Sequence, residues 1–406
     1  MTMIKSTFTV KFLSNNLKYY WYNGGAKKGA SKLELIRDAL SMVFKLIFRS
    51  YFIEKQGSNE ELLFVIIHKR ADYRRLIDSI ADKCNGTIYK INSCVRLFPN
   101  LKNIIYLIRT FGKTKSVILP IFNDKDELIG SIIKQYSFFE RISISALYVD
   151  SFFAISSIPL EHTKKIFVLC DIWPSENVLI EKAKFMGIKT FCGQHAIYYR
   201  DSKMKNANML LLENLSSDVY LVWGRVTKEL LLKDNKNIRV ELCGNPLYQK
   251  NNLCTVNKNS WAILGDIPQN HKYTQKLIDI VSKVALKRNA HIKIRLHPQD
   301  RINQDLYKID HNLCVFDNNT DNSEIFFVHV TTLLFEYLVS GKKVFKYISD
   351  AKGSEVDNRI CFTCSSQLDL LISKKELIDV EDMVQNQIVA CGDESKELYK
   401  KILEED

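Results

Sequence analysis

Short, continuous apolar runs alternate along this chain with longer stretches whose apolar positions return every three or four residues. The runs predict buried strands at 62–67, 87–91, 116–120, 166–170, 189–192 and 219–222, and again at 261–264, 291–296, 313–316, 326–329 and 343–346. The helical period predicts helices over 72–83, 176–186, 273–288 and 332–340, and a closing charged helix over 394–404 placed to fold back over the first half. Residues 93–110, which combine Pro99 with a mixed apolar pattern, fit neither template. Strands that are apolar throughout and separated by helices belong in parallel sheets covered on both faces, so the fold class is α/β. The polar stretch from Gly244-Asn245-Pro246 through Asn259 has no apolar period and reads as a linker. It divides the chain into two doubly wound domains, 1–250 and 258–406, whose strand ends face each other across a ligand-binding cleft.

At 406 residues the chain has room for two such cores. Its net charge of +12 is unevenly placed, because residues 1–150 hold 24 Lys and Arg against 13 Asp and Glu. Within that basic half a helix is predicted over 32–52, with Leu33, Ile36, Leu40, Val43, Phe44, Ile47 and Tyr51 as its stripe and Lys45 and Arg49 on its polar side. Two readings stand: the stripe packs on its own domain, or the helix lies on an anionic membrane surface. No nucleic-acid motif accompanies the charge, so nucleic acid is not an expected partner. No apolar run reaches the roughly 18 residues of a spanning helix, and the opening residues lack a secretory pattern. A cytoplasmic protein is expected, with the basic region available for peripheral contact at the inner membrane face. The ten cysteines are scattered, several within apolar runs such as 167–170, and fit reduced thiols. Cys361 and Cys364 have redox or zinc spacing, but with no second pair and no His cluster beside them no metal is expected.

Candidate chemistry falls just after strands. In Gly193-Gln194-His195-Ala196 the glycine permits a tight turn, and His195 is either a general base or a histidine satisfied within its loop. Asp171, the first polar residue after a buried strand, has three roles open: binding acceptor, serving as base in place of His195, or satisfying loop N–H groups. Ser175, between Pro174 and Glu176, reads as a helix cap. Gly224 in Trp223-Gly224-Arg225 lets backbone approach a ligand, and Arg225 has the reach to meet phosphate. Gly244 and Asn245 form a similar turn at the interdomain face, open to a ligand or serving only as a hinge. In the second half Arg295 and His297 alternate with Ile294 and Leu296, which sets two potential cations on one strand face before Pro298 ends it. About thirty residues on, Thr331 and Thr332 open a helix, and Glu336 shares a face with Thr332. Hydroxyls and N–H groups at a helix start suit phosphate, and a carboxylate one turn in can accept from ribose hydroxyls. His329, in the preceding strand, reads as a core histidine.

The succession Gly193-Gln194-His195-Ala196, Val222-Trp223-Gly224, Gly244-Asn245-Pro246, Arg295-Leu296-His297-Pro298 and Thr331-Thr332-Leu333-Leu334-Phe335-Glu336 resembles GT-B glycosyltransferases of bacterial capsule and surface-polysaccharide synthesis. It is also similar to CDP-glycerol glycerophosphotransferases of teichoic acid synthesis, and the His-Pro pair to sialic acid and Kdo transferases with CMP donors. The likeness covers roughly 165–350. It implies two Rossmann-like domains and a metal-independent transferase without a separate cofactor, its substrates a nucleotide-activated sugar, of CMP or CDP type, and a saccharide or lipid-linked acceptor. By the resemblance His195 is the first-domain catalytic histidine, His297 and Pro298 the donor-phosphate motif, Thr331 and Thr332 phosphate binders, and Glu336 the carboxylate facing the nucleoside. Those relatives commonly carry Gly where this chain has Ala196. Three other functions share the architecture: a polyol-phosphate transferase, a nucleotide-sugar epimerase and a non-catalytic partner in polysaccharide assembly.

Overall fold

A computed structural model describes residues 32–67, 70–108, 138–171, 173–198, 215–250, 256–349, 358–374 and 379–405. Seven strands form the first sheet: β1 (Arg49–Gln56), β2 (Leu62–Ile66), β3 (Thr87–Val95), β4 (Lys165–Val168), β5 (Lys189–Gly193), β6 (Val219–Val222) and β7 (Arg239–Leu242), in the order β1-β3-β2-β4-β5-β6-β7. All neighbours run parallel except β1 and β3. Its helices are α1 (Lys32–Phe48), α2 (Ala71–Cys84), α3 (Phe138–Ser156), α4 (Pro174–Phe185) and α5 (Arg225–Asp234). The strands are apolar on both sides because both faces are covered. Leu62, Phe64 and Ile66 of β2 enter one core, while Leu63 and Val65 enter another with Val178 and Leu179 of α4.

The second sheet holds β8 (Asn257–Leu264), β9 (His291–Arg295), β10 (Cys314–Phe316), β11 (Ser323–Val328), β12 (Lys343–Tyr347) and β13 (Cys361–Phe362), all parallel, in the order β10-β9-β8-β11-β12-β13. With it go α6 (His271–Arg288), α7 (Leu333–Val339), α8 (Ser365–Ser373), α9 (Glu381–Gln387) and α10 (Gly392–Glu405). In each sheet the chain winds outward in two directions from a switch point, between β2 and β4 in the first and between β8 and β11 in the second. The loops leaving the carboxyl ends of those strands diverge there and open a crevice for ligands.

Several expectations change. The predicted strand 116–120 lies outside the described residues. The helix predicted over 32–52 stops at Phe48, because from Arg49 onward the chain pairs with β3, from Arg49↔Val95 to Gln56↔Ile88. Arg49 anchors that change of direction through an ion pair of 2.8 Å to Asp150 on α3. The α1 helix packs on α3 through Leu46, Met42 and Val43 against Ala146 and Val149, while Leu33, Leu40 and Phe44 stay exposed. Of the unassigned stretch 93–110, residues to Val95 complete β3 and 101–108 are helical. The polar linker is shorter than predicted. Asn257 already pairs with Ser323, and the Asn259 N–H donates to Glu324, so the polar start of β8 is its solvent-facing end. Ser175 lies inside α4, whose cap position is Trp173 with Pro174 at the first turn. The closing helix α10 packs along α2 of the first half, burying Tyr399 and Leu403, and Lys165 donates to the Leu403 carbonyl at 2.6 Å. Among the described residues, no helix is long and apolar enough to cross a membrane.

Candidate functional site

His195 stands two residues past β5, half-buried at the edge of the first crevice. Its Nδ1 lies 2.8 Å from the Leu169 carbonyl. A carbonyl only accepts, so Nδ1 carries the proton and Nε2 is the basic nitrogen, the tautomer a general base requires. Three aromatic rings surround the imidazole: Tyr73 at 5.0 Å, Tyr198 at 5.8 Å and Trp173 at 6.4 Å between centroids, with Tyr73 and Trp173 stacked on each other. Gly193 is required for space rather than for a turn, since a Cβ there would lie 2.4 Å from the Phe167 ring. Gln194 is buried and structural; its side chain accepts from the Trp223 N–H and donates to the Ala196 carbonyl, fixing the loop that carries His195. Asp171 is buried among protein donors. It is 1% exposed, and one carboxylate oxygen accepts from the N–H groups of Ser216 and Ser217 and from the Tyr220 hydroxyl. Of its three predicted roles, satisfying loop N–H groups is the one its contacts match.

In the second half β9 ends at Arg295, and His297 lies half-buried in the following turn with Pro298 exposed beside it. The Gln299 N–H donates to His297 Nδ1 at 3.2 Å, so the neutral ring carries its proton on Nε2. Burial holds the His297 pKa below its ordinary value, with the Arg70 charge adding to the depression and Asp266 opposing it. The expected pair of cations is thus one guanidinium and one neutral N–H donor. Arg295 turns toward α7, at 3.5 Å from the Tyr337 hydroxyl. Thr332 caps α7 and Thr331 Oγ1 accepts from the Leu333 N–H at 3.3 Å; both residues are half-buried. Glu336 is exposed on α7. Burial raises its pKa, and the charges of Arg295 and Arg75 oppose that rise.

Charges at the start of α2 bear on both sets. Arg70, just before it, lies 4.3 Å over the Tyr73 ring, and the Tyr73 ring lies against His195. The same Arg70 charge acts on His297, and Arg75, one turn further along, acts on Glu336. Tyr248 adds a contact, its hydroxyl 3.3 Å from the Thr332 carbonyl. Arg70, Tyr73, Arg75, Trp173 and Tyr198 were missed in the sequence. The signal available was the basic run Lys69-Arg70 with Arg74-Arg75 directly after a buried strand.

Other candidates go elsewhere. At Gly224 a Cβ would lie 2.3 Å from the Gln387 backbone, and at Gly244, with φ at +73°, 2.0 Å from the Ala390 carbonyl. The close approach is therefore to the chain's own segment 386–390, not to a ligand. Asn245 is buried on that segment, its N–H donating to Ala390 and its side chain accepting from Leu247. Arg225 lines a separate groove of about 1220 Å3 with Lys250, Lys342, Asp382 and Glu394, whose walls include neither His195 nor His297. Cys361 and Cys364 are free thiols, and among the described residues no group of three or more His, Cys, Asp or Glu is placed to hold a metal.

By sequence the chain matches no known family and no curated protein. By structure it is similar to the UDP-GlcNAc 2-epimerase of Methanocaldococcus jannaschii in complex with UDP-GlcNAc and UDP, at 10% identity and a TM-score of 0.53, covering 85% of this chain and 99% of that one. It is also similar to the wall teichoic acid polymerase TagF, at 9% identity and a TM-score of 0.44, over 93% and 98% of the two chains. Against the GtfA/B complex the values are 9% and 0.40, and the match spans 64% of this chain and 60% of that one. The fold is GT-B.

Proposed function

We propose that this protein transfers a sugar from a nucleotide-activated donor, of CMP or CDP type, to a hydroxyl of a saccharide or lipid-linked acceptor in bacterial surface-polysaccharide synthesis. One observation carries the reading: past the carboxyl ends of β5 and β9 stand two histidines in opposite tautomers, His195 with a basic Nε2 and His297 with an Nε2–H. In this reading the two face one cleft as base and as phosphate-directed N–H donor. In the reaction, His195 Nε2 takes the acceptor proton as the acceptor oxygen attacks the anomeric carbon, and the bond from that carbon to the nucleotide phosphate breaks. The charge gathering on the departing phosphate is met by the Nε2–H of His297, by Arg295 and by the hydroxyls of Thr331 and Thr332. Half-buried Trp173 offers a flat apolar face beside the base for the acceptor ring, with buried Tyr73 stacked behind it. Glu336 accepts from the nucleoside. This scheme uses no metal, so turnover survives chelation; loss with EDTA that magnesium restores would overturn that part. Exposed Leu33, Leu40 and Phe44 within the basic half support peripheral contact with an anionic inner membrane face, read by co-sedimentation with anionic against neutral vesicles.

Calorimetry of the full chain with CMP, CDP, UDP and GDP tests the core of the proposal. One of the four binds, and His297→Ala weakens it roughly tenfold to a hundredfold, the loss of one hydrogen bond to a charged group. No binding by any of them would end the case for a nucleotide donor. Product mass then separates a transferred sugar from a polyol phosphate, and turnover of donor without acceptor would reveal an epimerase instead.

A further inference from the structure

One buried ring in the first half gathers groups that the transfer step uses only in part. Tyr73, 4% exposed, stacks on Trp173 at 5.4 Å between ring centres, meets the His195 imidazole at 5.0 Å and carries the Arg70 guanidinium at 4.3 Å. Base, aromatic face and cation are thus arranged around a single side chain, and all three reach solvent. Trp173 and His195 are half-buried, and the Arg70 side chain is 53% exposed. The guanidinium is fixed as well as open. Its Nε donates to Asp72 Oδ1 at 3.0 Å and one terminal nitrogen to Asp72 Oδ2, while the other terminal nitrogen lies 3.5 Å from the Tyr73 hydroxyl. Asp72 occupies one edge of the guanidinium, so N–H groups on its other side remain for a second anion.

Helix stability does not explain the choice of residue. Arg70 is the N-cap of α2, a position that favours a short side chain able to accept from the helix amides, and a guanidinium only donates. Arg74 and Arg75 follow, both exposed, at the helix end where the dipole disfavours cations. From 69 to 76 the sequence sets Lys69, Arg70, Arg74 and Arg75 against Asp72 alone.

We propose, on the transfer reading, that Arg70 binds an acid group of the acceptor, a sugar carboxylate or phosphate, while the acceptor ring rests on Trp173 and its free hydroxyl meets His195. Because Arg70 and His195 touch the same Tyr73 ring, the acid group and the attacking hydroxyl belong to one sugar or to adjacent ones. A planar guanidinium held in place favours a carboxylate or phosphate over a neutral hydroxyl, so the acceptor is an acidic saccharide.

Ligand-observed NMR titrations of the full chain with methyl glucoside, methyl glucuronide, glucose 6-phosphate and inorganic phosphate test this. Wild-type protein binds an acidic sugar about tenfold or more tightly than methyl glucoside, the gain from hydrogen bonds to a charged group. Arg70→Met reduces both acidic sugars to the level of methyl glucoside, whose own unchanged affinity shows the site still folded. Trp173→Ala weakens all three sugars together. The acidic sugar that binds better names the source, a uronic acid or a sugar phosphate. No binding of either acidic sugar, no preference over methyl glucoside, or inorganic phosphate bound as tightly as glucose 6-phosphate overturns the proposal. A preference that survives Arg70→Met, with CMP or CDP binding weakened instead, hands the residue to the donor and overturns it too. Protein that binds acidic sugars through Arg70 but no nucleotide keeps this anion site and loses the transfer reading, so the two fail separately.

Discussion

His195 and His297 are held in opposite tautomers, one by a carbonyl that can only accept and the other by an N–H that can only donate. His195→Ala is therefore expected to lower turnover about 10²–10⁴-fold while nucleotide affinity changes little; near-normal turnover would remove it as the base. Arg70→Met should raise the His297 pKa, since the guanidinium disfavours the imidazolium, and an NMR titration of His297 reads this directly. An unmoved titration would mean the two walls do not share a field. Glu336 gives a prediction with a pH window. Its folded pKa is raised, so the ionised form costs stability at neutral pH, and that cost disappears as pH falls below the ordinary carboxylate value. Glu336→Gln should raise Tm at pH 7.5, with the gain fading toward pH 4, and should weaken nucleotide binding. The histidines were legible because each follows a buried strand within a short motif. Arg70 and Tyr73 were not, since what brings them to the candidate site is the contact folded between Tyr73 and His195, which no local pattern records.

Elements whose two faces are both buried were read most closely: β6 matches its predicted bounds, and β2 and β4 differ by a residue or two. The helical period of α1 continues through Tyr51, yet the backbone turns into β1 because the exposed edge of β3 offers eight residues of pairing. Partner strands of that kind are invisible to a window along the chain. The glycines show the same limit. The sequence reads Gly193 and Gly244 as turns and Gly224 as a close approach to ligand, whereas each makes room for protein. Gly244→Ala combines a clash at Ala390 with a positive φ, so it should cost about 2–4 kcal/mol in urea denaturation. A loss under half a kilocalorie would show that segment 386–390 yields easily.

At the scale of the whole molecule, a GT-B architecture of two largely parallel sheets is visible in the alternation of runs and helices. The return of α10 to α2 has a consequence for both halves. Ending the chain at Ala390 would strip cover from the core around Tyr399 and Leu403, each worth about 1.5–3 kcal/mol, and should lower the first thermal transition; unchanged melting would show that α2 holds its place alone. The polypeptide therefore passes between the halves twice, once after Leu242 and once near Val389, where Trp223 and Asn245 grip the returning strand. Two bodies joined by a single tether can swivel freely, but a door hung on two pins swings about one axis. Any opening of this cleft must bend both passages together, so the arc along which His195 and His297 separate and meet is set by the backbone itself.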